Sequence, residues 1–215
     1  MNILKLPKRE SLVITNDEDP LAFYYYPGVG YIYRKRLINT LSLIKTNQGK
    51  ILDIGYGCGL LYPSLNKIAD KLYGLETHGK EKEVYESLHK EGIAREKVEL
   101  SPGSILAMPY ESNYFDCVVS VSTLEHIEDL PKALGEIERV LKEGGEAVLS
   151  FPVRNKITDA FYRLVGYNPR EIHPSSHNDI IEETEKHLTV VKILKIPTWL
   201  PLDLSLYCTI RCVKK

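Results

Sequence analysis

The sequence is poor in several features that would commit it to particular classes of protein. Its 215 residues include four cysteines, Cys58, Cys117, Cys208 and Cys212, with no close pairing and no zinc-type spacing. That excludes a disulfide framework and a cysteine metal cluster; Cys117, set in an apolar run, reads as a small buried hydrophobe. No signal peptide opens the chain, so a reducing, cytoplasmic compartment is the expectation. No window approaches the ~18 consecutive apolar residues of a membrane span, and a soluble chain is expected. Nor is there a surplus of positive charge. Lysine and arginine number 28 against 29 acids, a formal net charge of −1, whereas a nucleic-acid surface needs a basic excess. Arg34-Lys35-Arg36 is the one basic trio near a candidate ligand site, and it reads as a solvated helix face. Internal repeats and low-complexity segments are also missing.

What is present is ordinary for a globular chain: 43% hydrophobic and 27% charged residues, in a length that suits one domain with a real core. Short apolar runs alternate with helical periodicities, the pattern of a parallel sheet covered by helices. A leading helix is expected over 31–46, with Leu37, Leu41 and Ile44 at helical spacing. Strands are expected at 50–54, 71–76, 98–100, 114–121 and 146–151, and Val118-Val119 suits burial on both faces. Helices fall between them at 60–69, 80–90 and 131–142. The last is the clearest, with Asp129 as its cap, Pro131 in its first turn, and Leu134, Ile137 and Leu141 as its stripe. Gly144-Gly145 is expected to end it. Residues 152–177 break the rhythm with prolines, aromatics and histidines and read as an insertion. A helix at 178–187 and strands at 188–193 and 206–213 follow. The expected organisation is a single domain in three stretches: an aromatic segment and leading helix at 1–49, a ligand-binding core at 50–152, and an acceptor-side insertion with closing elements at 153–215.

The chemistry begins at Ile51-Leu52-Asp53-Ile54-Gly55-Tyr56-Gly57-Cys58-Gly59, where a strand ending in an acid runs into three alternating glycines and then a helix. Glycine permits a sharp turn and a close approach of ligand to backbone, and the following helix start offers free N–H groups and a positive dipole end. A nucleotide-type ligand at the carboxyl edge of a parallel sheet fits that layout. A dinucleotide fingerprint needs G-x-G-x-x-G. Counting from Gly55 the sixth residue is Leu60, and from Gly57 it is Tyr62; neither register fits, which disfavours a nicotinamide-dependent oxidoreductase. A phosphate-binding P-loop is excluded too, because no Gly-Lys-Ser/Thr follows. Taken singly, Asp53 would serve equally as a turn cap and Glu76 as a surface acid; their company with the glycine loop favours binding.

Four segments in order resemble the class I S-adenosylmethionine-dependent methyltransferases of the group called methyltransferase type 11. They are the glycine loop; Leu72-Tyr73-Gly74-Leu75-Glu76; Gly103-Ser104-Ile105-Leu106-Ala107-Met108-Pro109-Tyr110 with Phe115-Asp116-Cys117-Val118-Val119; and Leu124-Glu125-His126-Ile127 leading to Val140-Leu141-Lys142-Glu143-Gly144-Gly145. The resemblance implies an α/β, Rossmann-like, seven-stranded, mostly parallel sheet with the last strand antiparallel and helices on both faces. It implies S-adenosylmethionine as cofactor. Gly55, Gly57 and Gly59 would line its methionine and ribose, Asp53 would anchor the amino group, and Glu76 would accept from both ribose hydroxyls. Tyr56 and Thr77 would flank those contacts, Ser104 and Ile105 would lie beside the adenine, and Ser120, Val121 and Ser122 would close the floor. Two positions depart from the pattern. Ser104 stands where the family has an acid for the adenine amino group, and Tyr56 replaces a small residue, its ring either shielding the cofactor or pointing outward.

Methyl transfer from a sulfonium is an in-line displacement, and alignment alone supplies about 7–11 kcal/mol. A hydroxyl acceptor wants a general base besides. His126, His173 and His177 are the candidates, His126 and His173 being the ones that match the family's pattern. His173 and His177 stand four apart, but Pro174-Ser175-Ser176 between them argues against a helix. No neighbouring acid or cysteine completes a set, so no metal is expected. Three variable pieces are expected to wall the acceptor pocket: Phe23-Tyr24-Tyr25-Tyr26-Pro27; the insertion with Phe161, Tyr162, Tyr167 and His173; and Ile196-Pro197-Thr198-Trp199-Leu200-Pro201-Leu202. The expected partner is a small-molecule or lipid-linked acceptor, with no nucleic acid; monomer and homodimer stay equally open. A cofactor-binding but non-catalytic partner subunit is the alternative from another class, and it predicts an exposed apolar patch at 196–202.

Overall fold

Alternation along the central strands decides which helices cover which face of the sheet. A computed structural model describes residues 4–15, 21–46, 48–164 and 168–215. Among them the order is α1 (Val29–Leu43), β1 (Gln48–Ile54), α2 (Tyr62–Leu65), β2 (Ala69–Glu76), α3 (Glu81–Lys90), β3 (Val98–Pro102), β4 (Phe115–Val121), α4 (Leu130–Val140) and β5 (Leu141–Pro152). α5 (Lys156–Leu164), α6 (Pro169–Ile172), α7 (His177–His187), β6 (Thr189–Ile196) and β7 (Tyr207–Val213) complete it. The strands form one seven-stranded sheet in the order β3-β2-β1-β4-β5-β7-β6. β1 to β5 pair in parallel, while β7 runs antiparallel to both β5 and β6.

Successive strand residues point to opposite faces. Ile51, Cys117, Val119 and Val148 therefore join Leu37, Leu41, Leu65, Val84 and Leu88 in the core beneath α1, α2 and α3. Leu52, Val118, Ala147 and Leu149 point the other way, onto Leu134, Ile137 and Ile180 of α4 and α7. With both faces covered, the inner strands read as unbroken apolar runs. The seven-stranded, mostly parallel sheet with helices on both faces is the architecture implied by the resemblance.

Several boundaries differ from expectation. The helix placed at 60–69 shrinks to Tyr62–Leu65, because β2 already begins at Ala69, paired with Gln48. α4 carries the expected cap, with Asp129 Oδ1 accepting from the Lys132 N–H at 3.2 Å, but the glycines do not stop it. It ends at Val140, and Leu141 is already extended and paired with Phe115. Gly144, at φ +70°, instead turns the leading segment of β5, donating to the Lys214 carbonyl while Lys214 donates back to Gly145. The insertion holds two short helices, α5 and α6. α7 opens with a capping box in which Ser176 and Asp179 satisfy each other's backbone N–H groups. Among the described residues no helix is long and apolar enough to cross a membrane.

Candidate active site

A cavity of about 1280 Å³ opens where β1, β2 and β4 end, between the glycine loop and the segments at 122–127 and 172–173. That exceeds the ~300–1,000 Å³ of an ordinary small-ligand pocket, so two ligands have room side by side. At one end Asp53 stands one residue before the end of β1, in register with Gly74 of β2 and Val119 of β4. Its side chain is 4% exposed, and burial, reinforced by the like charge of Glu76, raises its carboxyl to about 8. Gly55 follows at φ +72°, in the left-handed region that L side chains avoid. A Cβ there would run into Thr123, whose hydroxyl donates to the Ile54 carbonyl at 3.2 Å.

Gly57 is held from both sides. Its N–H donates to Glu76 Oε2 at 3.1 Å. Its carbonyl accepts from His78 Nε2 at 3.1 Å, and His78 Nδ1 accepts from the Lys80 N–H at 2.9 Å. Since Nδ1 accepts, Nε2 must carry the ring proton. Glu76 Oε1 also accepts from the Thr77 N–H at 2.7 Å and its hydroxyl at 3.3 Å. The carboxylate is thereby fixed at the cavity wall. His78 is a residue that sequence reasoning missed, and no local pattern marked it.

The remaining predicted positions divide. Tyr56, Thr77, Ser104, Ile105, Val121 and Ser122 line the cavity together with Asp53, Gly55, Gly57 and Glu76. Tyr56 does not point outward: its ring is 5% exposed and packs edge-on against Tyr62 and His78, with its hydroxyl buried and unpartnered. Ser104 is exposed, its hydroxyl accepting from the Leu106 N–H at 3.2 Å. Two residues lie outside the lining. Gly59 is buried against Leu88 and Val84, and Ser120 is fully buried inside the sheet with its hydroxyl unpartnered.

The other end of the cavity corrects the reading of the basic trio. Arg36 turns inward rather than to solvent, among the rings of Tyr24, Tyr33 and Tyr207 at 5.3, 4.9 and 5.4 Å. Its guanidinium donates to the Tyr24 hydroxyl and, at 3.1 Å, to Ser122 Oγ. Ser122 in turn meets the Tyr207 hydroxyl at 2.7 Å. Arg34 donates to the Tyr24 carbonyl at 2.6 Å. A helical pattern of three cations fixes which face each occupies but not what covers that face, and here the aromatic segment and β7 cover it.

Beside Arg36 lies Glu125, 2% exposed, its carboxyl pushed by burial to about 8 against the pull of the Arg36 charge. His126 and His173 adjoin it, their rings 5.1 Å apart. Burial, then the neighbouring His126 and Arg154, drives His173 down to about 4. His173 does not meet His177 here; its neighbours are Glu125 and His126, which come from a distant segment. One ligand-type atom each from Glu125, His126 and His173 lies within 4.8 Å of the others. His177 stands apart, buried at the start of α7 with Nε2 3.1 Å from Asp203.

Of the three expected acceptor walls, only parts reach the cavity. Tyr24 contributes, but Tyr25 instead donates to the Pro7 carbonyl at 2.7 Å. His173 contributes from the insertion; the side chains of Phe161 and Tyr162, and Tyr167 altogether, lie outside the described residues. Trp199 is 80% exposed and away from the lining, where Leu206 and Tyr207 stand instead.

Residues 52–149 match the sequence profile of the methyltransferase domain family. The demethylmenaquinone methyltransferase of Bacteroides fragilis is 28% identical over 146 residues, 61% of this chain and 56% of that protein. The biotin biosynthesis bifunctional protein of Saccharophagus degradans is 30% identical over 127 residues, 58% of this chain and 22% of that protein. The chain thus spans about half of one relative and about a fifth of the other. In fold it is similar to the N-methyltransferase NodS of Bradyrhizobium japonicum, solved with S-adenosylhomocysteine, at a TM-score of 0.66 and 17% identity over 94% of each chain. Residues 52–149 are thus similar in sequence to the methyltransferase domain family, and the sheet is similar in fold to an N-methyltransferase solved with the demethylated form of S-adenosylmethionine. The site suits that cofactor: a buried acid for an ammonium, a backbone without side chains at Gly55 and Gly57, and a second acid at the end of β2.

Proposed function

We propose that this chain transfers a methyl group from S-adenosylmethionine to a small-molecule or lipid-linked acceptor. The observation that carries the reading is the shared cavity, with the Asp53–Gly55–Gly57–Glu76 cradle at one end and Arg36, Glu125, His126 and His173 at the other. The bound cofactor supplies an activated methyl on a positive sulfur. Asp53 would orient the methionine by its ammonium, and Glu76, already held by Gly57 and Thr77, would accept from the ribose hydroxyls. Ile105 would pack against the adenine, and Ser104 would make at most one weak polar contact there. His126 and His173 stand where an acceptor proton would leave, and the tyrosine-ringed Arg36 gives that end an apolar wall with one fixed charge. Small-molecule acceptors also fit the names of relatives such as the demethylmenaquinone methyltransferase. The burial of all four cysteines suits the reducing cytoplasm as its compartment.

The test is transfer of label from methyl-labelled S-adenosylmethionine into pooled hydroxylated and aminated metabolites and isoprenoid lipids. Label in an extractable product, lost in Asp53→Ala and Glu76→Ala, supports the reading; undiminished transfer by both variants overturns the site. A second reading, a cofactor-binding partner subunit without turnover, is favoured by the exposed Trp199, Leu204 and Leu206. It predicts cofactor binding but no label transfer until another subunit is added.

A further inference from the structure

We propose that Glu125, His126 and His173 form a site for one divalent first-row transition ion, of the Zn²⁺ type, at the acceptor end of the cavity. Their ligand-type atoms already lie within 4.8 Å of one another, and all three residues line the cavity. Glu125 Oε2 is buried with no hydrogen-bond partner. An unsatisfied carboxyl oxygen in that position is costly, and a cation would relieve it.

His126 supplies the second observation. Its Nδ1 lies 2.8 Å from the Ile172 carbonyl; a carbonyl only accepts, so Nδ1 carries the proton and Nε2 keeps its lone pair. Metal-bound imidazoles are held in this way, the far N–H donating to a backbone carbonyl or carboxylate. The segment bearing His173 is tied to the segment bearing Glu125. Ser175 donates its N–H to the Glu125 carbonyl at 3.3 Å and its hydroxyl to the Ile127 carbonyl at 2.5 Å. Arg154 donates to the His173 carbonyl at 3.1 Å. Arg36, the nearby cation, is directed to Tyr24 and Ser122.

The donor set selects the ion. Two imidazole nitrogens and one carboxylate suit zinc, iron, cobalt or nickel, whereas Mg²⁺ and Ca²⁺ take oxygen shells. Three protein ligands leave a coordination position open. Joined to the proposed methyl transfer, on which this clause rests, the open position assigns the acceptor to the alcohol or phenol class. Its O–H, acidified on the ion, gives its proton to solvent. The oxygen lone pair then forms the O–CH₃ bond as the C–S bond breaks, and that electron pair returns to sulfur, leaving S-adenosylhomocysteine.

The experiment dialyses the full chain and its His126→Ala, His173→Ala and Glu125→Gln variants against Zn²⁺, then measures bound zinc and titrates each by calorimetry. S-adenosylhomocysteine affinity is measured in parallel. The expected result is one zinc per wild-type chain and at least about tenfold weaker zinc binding in each variant, with S-adenosylhomocysteine affinity retained. His126 is exposed, so its variant removes a ligand without opening the core and stays decisive where Glu125→Gln misfolds. Wild type without stoichiometric zinc, or His126→Ala binding zinc as tightly as wild type, overturns the site. Zinc binding with no affinity for S-adenosylhomocysteine upholds the ion site and overturns the methyltransferase reading instead.

Discussion

Replacing Asp53 with asparagine separates the charge of that side chain from its shape. Burial and the like charge of Glu76 raise its carboxyl from 3.8 to about 8. At pH 7 the ligand-free site therefore holds it protonated in roughly ten molecules of eleven, and ionising it costs about 1.4 kcal/mol. In the proposed site the α-ammonium of S-adenosylmethionine would supply the missing positive charge. Binding at pH 7 is expected to release about 0.9 proton, and affinity to climb about 20-fold between pH 6 and 7.5. Above about pH 8 the ligand's own amino group loses its proton, so that window is the one to read. Calorimetry in buffers of different ionisation enthalpy counts the released proton directly. Asp53→Asn is expected to release none, to lose the pH dependence, and to bind about 10- to 100-fold more weakly at pH 7.5. Stability runs the other way. Because the folded pKa is raised, the contribution of Asp53 is complete below about 4 and is lost as pH climbs through about 8. Ligand-free Asp53→Asn should therefore melt above wild type at pH 8. A wild type that releases no proton, with a variant of equal affinity at both pH values, refutes the reasoning.

Gly55→Ala combines left-handed backbone with a Cβ driven into Thr123; the backbone part alone costs about 1–2 kcal/mol. It is expected to lower the melting temperature and weaken S-adenosylhomocysteine binding more than about tenfold, and wild-type affinity in a titration would contradict the loop assignment. Ile137, fully buried between α4 and the sheet, should cost about 2–5 kcal/mol on truncation to alanine. Asp129→Ala removes one helix cap and should cost about 1 kcal/mol. Urea unfolding that reverses this order would contradict the packing described for α4.

The parts of the site legible in the sequence are those fixed by short-range geometry. Asp53, Gly55 and Gly57 are consecutive or alternate residues at one strand end, and Glu76 closes the adjacent strand in parallel register. Short apolar runs likewise announced the buried strands at 51–54 and 118–119. What escaped depends on elements that meet only in the folded chain. Arg36 and Ser122 are 86 residues apart, and nothing local distinguishes Arg36 from a cation on a solvated helix face. Glu125 and His173 converge because Ser175 binds back onto the turn after β4. Gly144-Gly145 misled for a related reason: glycines after a helix suit a cap, but here Lys214, just after the closing strand, recruits them into a turn. Trp199 illustrates the limit of composition, since an aromatic in an apolar loop carries no statement about which way it faces.

The account stands on the cradle at the ends of β1 and β2 holding the cofactor, and titration of S-adenosylhomocysteine into wild type and Glu76→Ala tests it most directly. One binding site per wild-type chain is predicted, with affinity about 10- to 100-fold weaker in the variant and the fold retained by circular dichroism. Equal affinity in the two proteins, or no binding by wild type, contradicts it.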